Sequence, residues 1–491
     1  MAPSHSNETE DCSQEDFEQD VMLDPGEIKE EINSDEDVAM DSDCEFDCAE
    51  GDNEILQELQ VQNDSCAFFD LHKDTQHPLN FNLVATGGSE GDDAGGMGYV
   101  FDASKGNSTT SHENSKIAQG DELECRKLDL ILKLEGHTDS ICALAFTLPK
   151  GEVLLSGGLD GKLRAYSVNL DQVWKFIGEV QEVEEINWIA ACPNESFPNT
   201  VAFGANDGSV WVYSINPSSQ EMPLQIIQSY FLHTGSCTAG SWTGDGKLLA
   251  TVCEDGSLYV WDVFGEASAV GMTQASGGAY VVGLSALDQR FAVDGGLFSV
   301  AVAPNGTFLA VGGAGGSIKI ISLPVLGSKS KDEKQSSVKL NANNAPSGQA
   351  GQILADLKAQ TDGIETLAFA SLPMTLLAAG SVDGSIAIFD SAHQFAVRRL
   401  IKEAHEDYSV VKVEFVPSSG TEGSLLTSCG MDGIVRRWDT RGGTGNGLVR
   451  EFKGHRGDGE GGGVLGFVQG DGSRIITAGD DGISLVFNSS F

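Results

Sequence analysis

Short apolar runs alternate with small polar turn residues along most of this chain, and their spacing is that of strands. Runs such as Val153-Leu154-Leu155-Ser156-Gly157-Gly158 and Leu376-Leu377-Ala378-Ala379-Gly380-Ser381 lead into Asp-Gly. Alternating segments such as Ser209-Val210-Trp211-Val212-Tyr213 and Ser257-Leu258-Tyr259-Val260-Trp261-Asp262 follow it. Alternation over five or six residues is the period of a half-buried strand. Asp-Gly between two strands is hairpin chemistry, because the turn needs positive φ and a local side-chain acceptor. Six such turns carry Asp160, Asp207, Asp255, Asp383, Asp432 and Asp481, spaced 47, 48, 128, 49 and 49 residues apart. The interval of 128 has room for another copy. Phe308 to Gly313 followed by Gly315 to Ile321 has the right shape and no aspartate.

A period near 48 is one four-stranded propeller blade with its loops. A single blade cannot bury both faces, so the repeat predicts a ring. Trp261-Asp262 and Trp438-Asp439 end two of the strands, and Gly136-His137 and Gly454-His455 precede two others. In these marks the chain resembles the WD-repeat family from about residue 65 to its end. The expected fold is all-β, an eight-bladed WD-repeat β-propeller behind a disordered acidic arm over residues 1–64; seven blades is the alternative if the first does not form. Apolar residues stop after the third strand of the last blade, Ile483 to Phe487. The outer strand is therefore expected from elsewhere, with Ser65 to Asp70 as the stretch that closes the ring. Leu71 to Leu83 lacks an obvious inner strand for the first blade. Loop insertions are expected at 104–124, 265–293 and 325–351.

Charge adds a second feature. The 491 residues carry a net −43, and residues 1–60 alone hold 22 acidic residues against Lys29, a net −21. That segment cannot bury enough apolar surface to offset ordering entropy and reads as a disordered arm. No run of 18 apolar residues and no basic-then-apolar leader occurs, so neither a membrane span nor secretion is expected. The ten cysteines form no pairing scheme, and Cys44 and Cys48 have no second pair to make a zinc site. Reduced thiols in a cytoplasmic protein, with the nucleus as a further compartment, are the ordinary reading.

In a propeller, the loop before each inner strand and the loop between second and third strands open on one face. Asp139, Glu182, Glu184, Glu185, Glu254, Asp362, Glu365, Glu406, Asp407 and Asp458 all fall there and are candidates for partner binding. A concave face of one sign captures opposite charge. The partner implied is a basic, extended peptide whose guanidinium groups pair with carboxylates; nucleic acid is disfavoured by repulsion. Solvated rim charge is the plain alternative for each. Asp160, Asp207, Asp255, Asp383, Asp432 and Asp481, with His137 and His455, read instead as structural turn residues that bond the loops. No catalytic order, phosphate loop or metal cluster stands out, so no enzyme activity, cofactor or metal is expected.

Three stretches narrow the resemblance: Val180 to Trp188 with Val201 to Trp211, Ser381 to Asp390, and Arg474 to Phe487. With the acidic arm they resemble the fungal WD-repeat ribosome-assembly chaperones, relatives of the animal angio-associated migratory cell protein. The resemblance implies a monomeric, non-catalytic chaperone. Its partner would be a newly made basic protein of the large ribosomal subunit, uL-sixteen (eukaryotic L-ten), held by its N-terminal segment and reachable as a nascent chain. Asp139, Glu184, Glu185 and Glu365 are then the leading contacts. A histone-binding or nuclear scaffold propeller is the other reading, since histones are also basic.

Overall fold

The computed structural model describes residues 55–60, 65–73, 81–89, 95–103, 130–169, 173–273, 279–293, 295–324, 326, 350–417, 424–441, 447–455 and 462–489. They form eight four-stranded antiparallel sheets. The innermost strands are Ser65–Lys73, Ile141–Phe146, Ile186–Ala191, Cys237–Trp242, Leu297–Val302, Ile364–Phe369, Val410–Phe415 and Val464–Val468. Each touches the next, and the eighth touches the first. The ring is closed, with eight blades.

The second strands explain why the repeat is legible. Val153–Gly158, Thr200–Ala205, Leu248–Cys253, Leu376–Ser381 and Leu425–Gly430 are buried along their whole length. Sheets covered on both faces read as continuous apolar or small-residue runs. The core sits between neighbouring blades: Val153, Leu155 and Leu163 of the second pack on Ile186, Val201 and Phe203 of the third. Gly157 permits that approach, since a Cβ there would meet Ile186 and Ile189 at 2.9 Å. The seam between first and last blades is packed the same way, by Val84 and Phe101 against Ile476, Ala478 and Val486.

Two expectations about the ends are corrected. Ile55–Gln60 is the outer strand that closes the last blade, paired antiparallel with Ile483–Asn488. Ser65–Lys73 is not the closing strand; it is the inner strand of the first blade, paired with Phe81–Ser89. The ring therefore begins inside the segment expected to be arm. The reason is that outer strands face solvent and need little apolarity. Trp174–Gln181 and Ala396–Ile401, also outer strands, are largely exposed. The stretch 265–293 is likewise more than an insertion. It holds a short helix, Glu266–Ala269, capped by Asp262, which accepts from the Ala267 and Ser268 N–H groups (3.1 and 2.7 Å). It then supplies the fourth blade's outer strand, Tyr280–Leu284. Phe291 and Val293 finish it by packing into the core. Segment 104–124, most of 325–351 and residues 1–54 lie outside the described residues.

Each inner strand from the second blade onward carries one β-bulge after its first residue. A bulge re-aims one side chain. Three of the bulged residues reach the next blade: Cys142 Sγ donates to Ile186 O (2.6 Å), Asn187 Nδ2 to Cys237 O (3.0 Å) and Thr238 Oγ1 to Leu297 O (2.7 Å). They act as ties around the channel. In the sixth blade the bulged residue is Glu365.

Candidate functional site

One end of the ring collects the start of every inner strand and every Asp-Gly turn. Register places Ile141, Gly158, Lys162 and Gln181 at the same end of the second blade. The turns at this end are built from side chains. His137 Nδ1 meets Asp160 at 3.0 Å and its Nε2 meets Ser156 Oγ at 2.8 Å, while Thr138 N–H donates to Asp160 (2.8 Å). In the seventh blade His405 bridges Asp432 (2.8 Å) and Ser428 (2.7 Å), and Trp438 Nε1 donates to the same hydroxyl (2.8 Å). His455 lies between Asp481 (3.0 Å) and Thr477 (2.7 Å). Asp255 and Asp383 accept from the Thr234 and Thr361 N–H groups (2.7 and 2.8 Å), and Asp207 from Ser209 N–H (2.9 Å).

These bonds set the charge states. Burial opposes ionisation of Asp160, but the His137 bond and the Thr138 and Lys162 N–H groups outweigh it and hold the carboxyl at about 2. Asp383 is held at about 2 against burial by Ser385 and Thr361. His405 carries the same role without a preceding glycine; His233 reaches its turn through Ser257 Oγ rather than Asp255, and Gln360 takes the histidine place in the sixth blade, donating to Ser385 O (2.9 Å). Gly-His was too narrow a signal; a histidine 23 to 27 residues ahead of the turn aspartate would have found His405.

The partner-binding candidates fall at this same end. Asp139, Glu182, Glu184, Glu254, Asp362, Glu365, Glu406 and Asp407 are exposed and Glu185 is half-buried; Asp458 lies outside the described residues. Among the described residues none of these nine forms an ion pair. Most cations nearby are already engaged: Arg164 with Glu179, Lys319 with Asp356 (2.6 Å), Arg290 with Asp288 (2.7 Å), and Arg436 with Asp432 and Glu451. The acidic candidates are therefore the uncompensated charge of the face.

They are not equivalent. Glu182 accepts from Tyr213 Oη (3.1 Å), and burial with that carboxylate pushes the phenol up. It is committed to the blade. Asp139 and Asp362 accept from the next residue's N–H (2.6 and 2.7 Å) and present the rest of the carboxylate outward. Glu365 stands at the bulge of an inner strand, where crowding by the protein and then Asp362 raise its carboxyl. Glu406 holds φ 55° beside the sixth-blade turn. That turn needs Gly384 (φ 76°), because a side chain there would strike the Glu406 carbonyl. Apart from Glu254 on the fourth-blade turn, the carboxylates thus group in two arcs, one over the second and third blades and one over the sixth and seventh.

His233, Cys253 and Asp255 come within 4.8 Å of one another. They make a poor metal site, because both imidazole nitrogens are engaged by Ser257 (2.6 Å) and Thr251 (2.8 Å). Burial lifts the Cys253 thiol to about 11.

Comparison with known proteins agrees with this architecture. The model of the WD domain, G-beta repeat, matches residues 128–167, 224–262 and 290–322. The ribosome assembly protein SQT1 of Saccharomyces cerevisiae is 28% identical over 483 residues, 92% of each chain. The human angio-associated migratory cell protein is 24% identical over 73% of this chain and 70% of its own. The crystal structure of Chaetomium thermophilum Sqt1 bound to the N-terminus of the ribosomal protein L10 superposes with a TM-score of 0.75. It is 50% identical, over 89% of this chain and 100% of that one. With half of its aligned residues identical across an entire Sqt1 propeller, this chain belongs to the Sqt1 family of eight-bladed WD-repeat proteins.

Proposed function

We propose that this chain is a non-catalytic ribosome-assembly chaperone that holds the N-terminal segment of ribosomal protein L10 (uL-sixteen) on its acidic face. The observation that carries the reading is the set of uncompensated carboxylates gathered at one end of the ring, with Glu365 aimed by a bulge at the start of an inner strand. Kinship to a Sqt1 crystallised with that segment supports the choice of partner. Single exposed pairs contribute about 0–1 kcal/mol, so capture rests on several acting together. Nothing in these relatives favours a histone or scaffold reading.

The test is fluorescence anisotropy with a labelled N-terminal segment of L10 and the full chain, at low and high salt. Glu365→Lys replaces an attraction with a repulsion and weakens binding about ten-fold, with Tm unchanged. Wild-type binding should fall steeply as salt rises. Affinity that ignores both the reversal and the salt would remove the electrostatic account.

A further inference from the structure

The acidic face is interrupted. The loop ahead of the fourth blade, Phe231-Leu232-His233-Thr234-Gly235-Ser236, has no carboxylate. Phe231 is 64% exposed and Leu232 44%. Two large apolar neighbours in water are a standing cost that a partner's apolar side chain would relieve by covering them.

Their exposure is not slack in the loop. His233, directly after them, is buried and tied to Ser257 and Thr251. Thr234 N–H donates to Asp255 (2.7 Å) and Glu254 N–H to Ser236 O (3.0 Å). On the other side the Phe231 ring stands edge-on to Trp211, 5.6 Å between centroids at 87°. The Trp211 indole N–H is fixed by Ser209 Oγ (2.9 Å), which Asp207 holds in turn. A rigid indole and phenyl edge with an exposed leucine beside them form a preorganised apolar step. The Glu184–Glu185 loop is joined to the third-blade turn, where Asn206 N–H donates to Glu185 O (3.2 Å), and Glu254 stands on the fourth-blade turn bonded to Ser236, so carboxylate-bearing loops lie on either side in the ring order.

We propose that Trp211, Phe231 and Leu232 form an anchor site for an aromatic side chain carried within a cationic, extended segment. Charge on both sides selects the segment; the ring edge and face select the residue, since aromatic pairs prefer edge-to-face or offset contact. The proposal rests on the basic-peptide reading above and adds the residue class that gives it register. Carboxylates alone would let a run of Lys and Arg slide. A single apolar anchor stops it, because moving the segment by one residue withdraws the ring.

Two short synthetic peptides test it, identical in Lys and Arg content, one with a central tyrosine and one with serine there. Binding is followed with the full chain, its Phe231→Ser/Leu232→Ser variant, and a Phe231→Tyr variant, each checked by thermal melt. The tyrosine peptide should bind wild type about ten-fold tighter than the serine peptide. The gap should close in the double-serine variant and persist in Phe231→Tyr. Equal binding of the two peptides to wild type overturns the proposal, as does a gap that survives the double substitution. If the double-serine variant instead weakens both peptides equally and makes their salt dependence shallower, a stacked guanidinium is the occupant and the aromatic assignment falls. The labelled L10 segment separates this from the parent reading: capture lost with Glu365→Lys but untouched by the serine pair would sink only the anchor.

Discussion

Arg437, wholly buried, donates to the side-chain carbonyl of Gln469 across the seam between the seventh and eighth blades (Nη2 to Oε1, 3.2 Å). The same guanidinium donates to Gly472 O (3.0 Å) and Ser489 Oγ (2.6 Å), and Gln469 Nε2 donates to Phe415 O (3.2 Å). One planar fork therefore fastens the end of the chain to the blade before it. Arg437→Met leaves buried carbonyls unmet and should cost about 3 kcal/mol, read by urea unfolding. Arg437→Lys should recover little, since an ammonium cannot span the same fork. Wild-type stability in the lysine variant would contradict the network.

The closing strand gives a second prediction. Five residues of Ile55–Gln60 have register partners in the last blade. Removing residues 1–51 should leave Tm unchanged. Removing 1–60 strips the strand, at about 1 kcal/mol per ladder hydrogen bond, and opens an edge to aggregation. Light scattering on heating distinguishes the two truncations; identical behaviour would contradict the pairing.

Acid should unfold the ring in two stages. Burial holds His233 down at about 4, against Asp255. An imidazole near 6.5 in the unfolded chain takes its proton first, so stability falls as pH drops from about 6.5 to 4, by about 3 kcal/mol in all. Asp160 and Asp383 have depressed carboxyls. Their stabilisation is present above the unfolded value near 3.8 and is lost as pH falls towards 2, about 2 kcal/mol for the well-buried Asp160. Asp160→Asn should flatten the lower stage and leave the upper one, as followed by circular dichroism.

The two acidic arcs should separate from Glu182. Glu406→Lys/Asp407→Lys and Glu184→Lys/Glu185→Lys should each weaken capture of the L10 segment about ten-fold or more at low salt, without moving Tm. Glu182→Gln should change capture little, because that carboxylate serves Tyr213. A spectrophotometric titration should then show the Tyr213 phenol ionising at lower pH than in wild type, though still above its ordinary value because it is buried. Capture that depends on Glu182 as strongly as on Glu184 would refute this division of labour.

Much of this molecule was legible without coordinates, for a local reason. A strand covered on both faces must be apolar and small, and a tight turn favours Asp-Gly, because one residue must take positive φ and a side-chain acceptor steadies the loop. Val153 to Gly161 and Leu376 to Gly384 therefore announce their place in a blade, and the period announces the ring. The acidic positions were also readable, since a loop before an inner strand opens on one face wherever the blade sits.

What tertiary structure alone decided depends on partners far away in the chain. Ile55–Gln60 is too polar to declare itself a strand, and only pairing with Ile483–Asn488 makes it one. His405 and Gln360 earn their roles from hydroxyls and carbonyls on neighbouring strands, which no dipeptide encodes. Glu182 and Glu184 look alike in sequence; a phenol brought from another strand of the same blade claims the first and leaves the second to solvent. Charge is written in the residues, but which charges remain unspent is settled only when the ring closes.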